Sequence, residues 1–365
     1  MKVPYFSNIQ IPDSNKVEWA HEISRVINSE SLISGKSVEK FEIEFARFVG
    51  TEFGMGVGNG LDGLTLSLRA AGLGPGHVVA VPAHTFIATF LAVIHVGAIP
   101  YAVDVDSEGL LDLTKLFELK IRVDAVIPVH LHGCMVDMKT LSSWAQQRGI
   151  IVIEDASQAH GCRSNEVNAG QLGDLAVFSL YPTKNLGALG DAGIVVTSNA
   201  DYRDFISSSR TYGSSKESKY SHVRLGYNSR MDTIQAAVLS KNLAHLDNWN
   251  LHRNRLAEIY RKQLSGLPVK TLINEKSSSV YHHFPILLAN RDGLREYLST
   301  HDIGSEIHYP NLASTEVAAL ASIDLNECPN AREISISTLS LPISQWHSED
   351  EIVYVTEVIS RFFGG

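Results

Sequence analysis

From Gly54 onward the chain repeats one pattern: a short unbroken apolar run, a helical or loop segment, then another apolar run. The runs fall at Val78–Val81, Ile99–Val103, Ala125–Val129, Ile150–Ile153, Leu175–Leu180 and Gly193–Thr197. A strand that is apolar at successive positions, rather than at every second one, is covered on both faces. Strands of that kind separated by helices predict an α/β fold built on a mostly parallel sheet. Such sheets hold ligands beyond the carboxyl ends of their strands, so chemistry is expected just after each run.

The flanking segments read differently. Upstream, a helix is expected from Val17 to Asn28, a Ser/Gly-rich bend at Ser29–Ser37, and an amphipathic helix from Val38 to Val49. Met231–Leu264 reads as one long helix of the kind that links a large domain to a small one. Beyond Leu267, strands at Val280–Leu288, Glu306–Tyr309 and Ser335–Leu341 alternate with helices at Gly293–Thr300 and Ser348–Phe363. The expected division is a large α/β domain over residues 1–240, then the linking helix and a small C-terminal α+β domain over 241–365. A chain of 365 residues, 44% hydrophobic, is long enough for both cores.

Composition narrows the function classes. No apolar run is long enough to cross a bilayer. The opening MKVPYFSNIQIPDSN shows no basic segment followed by an apolar one, so a cytoplasmic location is expected. Three cysteines, Cys134, Cys162 and Cys328, suit a reducing compartment and supply no disulfide framework. The formal charge of −9 is spread along the chain, which argues against a nucleic-acid partner but not against one anionic substrate in a local pocket.

Three stretches carry chemistry. Gly56–Gly63 (GVGNGLDG) runs directly into a helix; glycines there let backbone N–H groups approach a phosphate that the helix N-terminus favours. Gly58, Gly60 and Gly63 fit the spacing of a dinucleotide loop, yet the second strand ends VPAHTF with no ribose-binding acid before Asp104. A cup for one phosphate is therefore expected, with an unliganded turn as the plainer reading of the loop alone. The second stretch, IIVIEDASQAHG, ends a buried strand at Glu154-Asp155. Read alone, Asp155 suits a cap, a metal, or the ring nitrogen of a cofactor. In the third, FSLYPTKNLGALGDAG, Lys184 follows a buried strand among small residues. A desolvated lysine has a lowered pKa and forms Schiff bases; a solvated loop lysine is the plainer alternative. Phosphate cup, strand-end carboxylate and loop lysine in one α/β domain are more specific together than any one of them.

On these residues the chain resembles the DegT/DnrJ/EryC1/StrS family of sugar aminotransferases. The likeness rests on GNGLDGLTLSLRAAGLGPG, VPAHTFIATFLAV, VIPVHLHG, VIEDASQAHG, FSLYPTKNLGALGDAG and GYNSRMDTIQAA, and covers nearly the whole chain. These are fold type I enzymes dependent on pyridoxal 5′-phosphate (PLP). Several consequences are implied by the resemblance. Lys184 carries PLP as a Schiff base and, when freed, moves a proton as base and acid. Asp155 pairs with the pyridine nitrogen, and Gln158 reaches the phenolic oxygen. Phe86 stacks on the ring, although by itself it reads equally as core. Gly60 and Leu61 give N–H groups, and Ser179 a hydroxyl, to the phosphate. Asn228 reaches the phosphate of a neighbouring subunit, which makes the protein a homodimer with shared sites. Arg230 helps the same interface, binds a carboxylate or forms a surface salt bridge. Tyr181, His308 and Tyr309 are the candidates for the sugar nucleotide. The cofactor alternates between PLP and pyridoxamine phosphate, with glutamate as amino donor. The GNGLDGL wording is nearest to members that aminate C3 of dTDP-3-keto-6-deoxyhexoses. One departure follows His308-Tyr309-Pro310, where family members continue with proline and histidine and this chain reads NLASTE.

Other readings stay in view: amination at another carbon such as C4, another PLP reaction such as dehydration, or a non-catalytic regulatory or binding protein of the same fold. Sugar dehydratases of the family carry histidine at the lysine position, and Lys184 argues against that branch. A NAD-dependent oxidoreductase lacks its ribose-binding acid. His130, His132 and Cys134, alternating along an expected strand, would face one side as metal ligands do; no fourth ligand is visible and no metal is expected.

Overall fold

The computed structural model describes residues 1–215, 218, 220–273, 278–312, 321 and 328–364. Seven strands make the main sheet. They are β1 (Phe53–Val57), β2 (Val78–Pro82), β3 (Ile99–Val103), β4 (Ala125–Val126), β5 (Ile151–Asp155), β8 (Leu175–Ser179) and β9 (Gly193–Thr197), with a small hairpin, β6 (Arg163–Ser164) and β7 (Val167–Asn168), between β5 and β8. The spatial order is β1-β9-β8-β5-β4-β2-β3. β9 runs antiparallel to both of its neighbours, and the other pairings are parallel. This is the mostly parallel α/β sheet that the apolar runs predict.

The unbroken apolar runs have their cause in packing on two faces. On one face Leu175, Val177 and Val195 join Leu64, Leu68, Phe90 and Val93, which come from α3 (Gly60–Ala70) and α4 (Ala88–His95). On the other, the intervening Ala176, Phe178, Ile194 and Val196 join Phe41 and Phe45 of α2 (Lys36–Val49). Phe45 meets Phe178 edge-on with ring centroids 4.9 Å apart. Successive side chains of a strand point to opposite faces, so both parities must be apolar.

The C-terminal part holds an antiparallel sheet of β10 (Lys270–Thr271), β11 (Phe284–Leu287) and β12 (Thr338–Leu341). Against it lie α10 (Arg291–Thr300), α11 (Pro329–Ser337) and α12 (Glu349–Phe362). Several boundaries differ from expectation. The single helix over Met231–Leu264 is two, α8 (Thr233–Leu243) and α9 (Leu246–Leu264). Its break at Ala244-His245 lets α8 pack on α2 and on the N-terminal helix (Asp13–Ser29) while α9 packs on α12. Ser335–Ser337 closes a helix entered through Pro329, and the strand begins only at Thr338. Glu306–Tyr309 forms no strand; Glu306 alone bridges to Ser340. Among the described residues, no helix is long and apolar enough to cross a membrane.

Candidate active site

The carboxyl ends of β2, β5 and β8 and the start of α3 converge on one cavity of about 590 Å³, a volume usual for small-molecule sites. Gly60, Leu61, Phe86, Asp155, Gln158, Ser179, Tyr181, Lys184, His308 and Tyr309 all line it. The cavity therefore brings together ten of the eleven expected site residues. Asn228 is not among the lining residues: it is exposed, and its backbone bridges to Thr211.

At the glycine-rich loop, Asn59 caps α3, its side-chain oxygen accepting from the Asp62 N–H at 2.8 Å. Such a cap is worth ~1 kcal/mol. The N–H groups of Gly60 and Leu61 make no hydrogen bond with described residues, so two donors at a helix N-terminus face the cavity. A Cβ at Gly60 would stand 3.1 Å from Ser179 Cβ and 3.4 Å from Ser157 Oγ, the space in which the cup lies. Gly63 has a different reason: a Cβ there would be 2.6 Å from Val177 Cγ1, so only glycine lets α3 lie so close on β8. The apparent dinucleotide spacing thus combines a single cup with one helix–sheet contact.

Strand alternation separates the two acids at the end of β5. Glu154 is completely buried and turned away from the cavity. It accepts from the backbone N–H groups of Gly170, Leu172 and Gly173 at 2.8, 3.0 and 2.6 Å, and pairs with His130 Nε2 at 2.7 Å. It is a structural carboxylate. Asp155 faces the cavity, where Oδ2 accepts from Thr89 Oγ1 at 3.0 Å and Oδ1 from the Ser157 N–H at 3.2 Å. Thr85 Oγ1 lies 3.1 Å from Thr89 Oγ1 and extends the chain.

Lys184 follows β8, and its side chain makes no hydrogen bond or ion pair with described residues. Burial lowers its pKa to about 8, with the Asp155 charge acting in the opposite sense. Its loop is pinned from below: Asn242 Nδ2 donates to the Gly187 carbonyl at 3.0 Å, while Asn242 Oδ1 accepts from Trp19 Nε1 at 2.8 Å. Gln158 Oε1 accepts from the His132 N–H at 2.6 Å, and its Nε2 donates to Tyr309 Oη at 3.0 Å. Phe86, half exposed into the cavity, lies 5.5 Å from the Tyr309 ring. It is not core. His84, buried on the strand side, accepts from the Tyr309 N–H at 3.1 Å and so docks the His308-Tyr309 loop onto the end of β2.

The expected His-x-His-x-Cys strand does not form. Leu131–Gly133 is a tight helical turn with His132 at φ 59°, which ends the alternation. The three side chains then go to different partners: His130 to Glu154, His132 to His283 at 3.1 Å, and Cys134 to Glu108 at 3.6 Å. Sequence reasoning missed Thr89, Ser157, Asp191 and His282 at this site. Only the chain distance of His282 concealed it, since the pair His282-His283 inside an apolar run is itself an unusual signal.

A model of the DegT/DnrJ/EryC1/StrS aminotransferase family matches residues 13–360. The chain belongs to that family. It is 38% identical over 366 residues to the dTDP-3-amino-3,4,6-trideoxy-alpha-D-glucose transaminase of Streptomyces venezuelae, covering 99% of this chain and 96% of the relative. The crystal structure of S. venezuelae DesV in complex with a ketimine intermediate superposes with a TM-score of 0.95 at 36% identity, over 100% of this chain and 99% of that one. NtdA from Bacillus subtilis, solved with bound PMP, superposes at 0.92 and 26% identity, over 100% of this chain and 86% of that one. This family member is a PLP-dependent aminotransferase. Its cavity fits the cofactor: unpaired N–H donors for a phosphate, a buried carboxylate opposite, and a desolvated lysine between strand and loop. NLASTE begins at Asn311, and its residues from Ala313 on lie outside the described residues.

Proposed function

We propose that the protein transfers an amino group from L-glutamate to C3 of a dTDP-linked 3-keto-6-deoxyhexose. The observation that carries this reading is the joint lining of one cavity by Lys184, Asp155 and the Gly60–Leu61 cup in a chain so similar to a dTDP-sugar transaminase. In this reading Lys184 carries the cofactor, Gly60, Leu61 and Ser179 hold its phosphate, Asp155 its pyridine nitrogen, Gln158 its phenolic oxygen, and Phe86 packs on its ring. Bound PLP supplies the electron sink that acidifies the Cα proton of the amino donor. Lys184 Nζ takes that proton and later returns one, as a lysine with a pKa near working pH is suited to do. Tyr181, His308 and Tyr309, which line the same cavity, contact the sugar nucleotide. Residues 1–240 form the cofactor-binding domain and 241–365 the smaller one.

The test is a panel of nucleotide-linked keto-sugars, dTDP- and UDP-linked, ketone at C3 or C4, incubated with L-glutamate. Formation of 2-oxoglutarate with the dTDP-linked 3-ketone is expected to exceed that with the 4-ketones. Equal rates or a preference for a 4-ketone would overturn the assignment to C3, and no amination of any member would overturn the reading as a whole.

The same reading makes the protein a homodimer in which Asn228 completes the partner's phosphate site. Its support is the exposure of Asn228 together with Tyr212, Val223 and Leu225, the last 81% exposed, on the same surface segment. Mixing an inactive Lys184→Ala variant with an inactive Asn228→Ala variant is expected to restore activity, because one site in each mixed dimer then receives both native residues. Absence of recovery after demonstrated subunit exchange would remove the shared site.

A further inference from the structure

A buried hydroxyl inside a helix commonly donates its hydrogen to the carbonyl four residues back. Thr65 and Ser67 of α3 do so, to Leu61 at 2.9 Å and to Gly63 at 2.8 Å. Thr89 is also completely buried, but it stands in the first turn of α4, where no helical carbonyl lies four residues back. Its Oγ1 donates instead to Asp155 Oδ2 at 3.0 Å, at the end of β5. A hydroxyl has one hydrogen to give. The 3.1 Å contact between Thr85 Oγ1 and Thr89 Oγ1 therefore runs from Thr85 to Thr89. The result is a directed chain, Thr85 to Thr89 to Asp155, that ends on the carboxylate.

The carboxylate is thereby held by both oxygens. Oδ1 accepts from the Ser157 N–H at 3.2 Å, two residues along the same chain segment, and Oδ2 from Thr89 on a separate element. The terminal torsion of an aspartate is soft. One anchor leaves the carboxylate plane free to pivot, and a second on the other oxygen fixes it. A carboxylate offers about four acceptor sites; these two donors fill one on each oxygen, and Asp155 turns to the cavity that it lines. Thr89 has a second hold on the site, since its backbone N–H donates to the Phe86 carbonyl at 3.2 Å. One buried residue so ties together the group proposed for the ring nitrogen and the group proposed for the ring face.

We infer that Thr89 is a positioning residue for Asp155, its hydroxyl fixing the carboxylate plane so that the remaining acceptor sites stay on the ring nitrogen of the cofactor. Thr85 holds that hydroxyl in turn by donating to its oxygen. The attraction between a carboxylate and a ring proton falls with distance and is strongest where water is excluded. A carboxylate that pivots in this buried site gives up part of it, and the ring proton with it. The inference rests on the pairing of Asp155 with the ring nitrogen given above.

The test uses the full-length holoenzyme loaded with PLP carrying ¹⁵N in its ring. Thr89→Val keeps the shape of the side chain and removes the donor. It is expected to move the ring-nitrogen signal toward the unprotonated position, to weaken PLP binding about 10-fold or more, and to slow the single-turnover reaction with L-glutamate while glutamate affinity is preserved. Thr89→Ser, which restores the hydroxyl, should return the signal toward that of the wild type. A ring-nitrogen signal and PLP affinity unchanged in Thr89→Val overturn the proposal, as does a shift that Thr89→Ser fails to reverse. If the valine variant does not fold, the hydroxyl proton of Thr89 in the wild type decides: it is expected to exchange slowly with solvent, and exchange at the rate of a free hydroxyl overturns the proposal. A wild-type signal that Asp155→Asn leaves unmoved refutes instead the pairing on which the inference rests, so the two failures are told apart.

Discussion

Lys184→Ala is expected to lower turnover roughly ten-thousand-fold or more, since it removes both the covalent attachment and the general base. The fold should survive, because the side chain makes no hydrogen bond or ion pair with described residues and its loop is held by Asn242 through the Gly187 carbonyl. A pH dependence accompanies the substitution. Burial brings the lysine from 10.5 down to about 8. Between those values the unfolded chain keeps a proton that the folded chain has lost, so the stability of the cofactor-free protein rises with pH across this window. The variant should lack that rise. Denaturant unfolding of both proteins from about pH 7 to 10 checks the sign, and steady-state assay checks the loss. Normal amination by the variant would dismiss Lys184 as the cofactor lysine.

Asp155→Asn should reduce kcat by about two orders of magnitude or more and weaken PLP retention. Removing one partner of a buried, hydrogen-bonded charge pair costs about 2–5 kcal/mol, and Asp155 is 6% exposed with Thr89 and the Ser157 N–H fixing its carboxylate. The same change withdraws the charge that partly sustains the Lys184 ammonium, so the amine of the cofactor-free variant should titrate at lower pH than in the wild type. Absorbance titration with PLP and the pH dependence of amine modification measure the two effects. Unchanged kinetics would show that the ring nitrogen is not paired here.

What could be read in advance follows from packing on two faces. Leu175–Ser179 and Gly193–Thr197 are apolar at both parities because α2 and α3 cover opposite sides, so their runs announced the sheet. The strand-end rule then singled out Asp155 and Lys184 without any knowledge of distances, and the family resemblance added Ser179. Elements fixed by local backbone geometry were less legible. The turn at Leu131–Gly133 depends on φ 59° at His132, a value that no hydrophobic period encodes. The break at Ala244-His245 has no proline or glycine to mark it and exists because the two helices serve different neighbours. Thr89 and His282 are hydrogen-bonded to partners remote in the chain, Asp155 and Asn185, and such pairings have no period.

The absence of a side chain at Gly63 has a consequence for how this sequence can vary. Its helix touches Val177 so closely that a methyl group on one position and the isopropyl group on the other are mutually exclusive. A substitution at either site is therefore judged by its companion, and the two positions form one heritable choice. An engineer who enlarges residue 63 must first prune residue 177, a position on the strand that delivers Ser179 and Lys184.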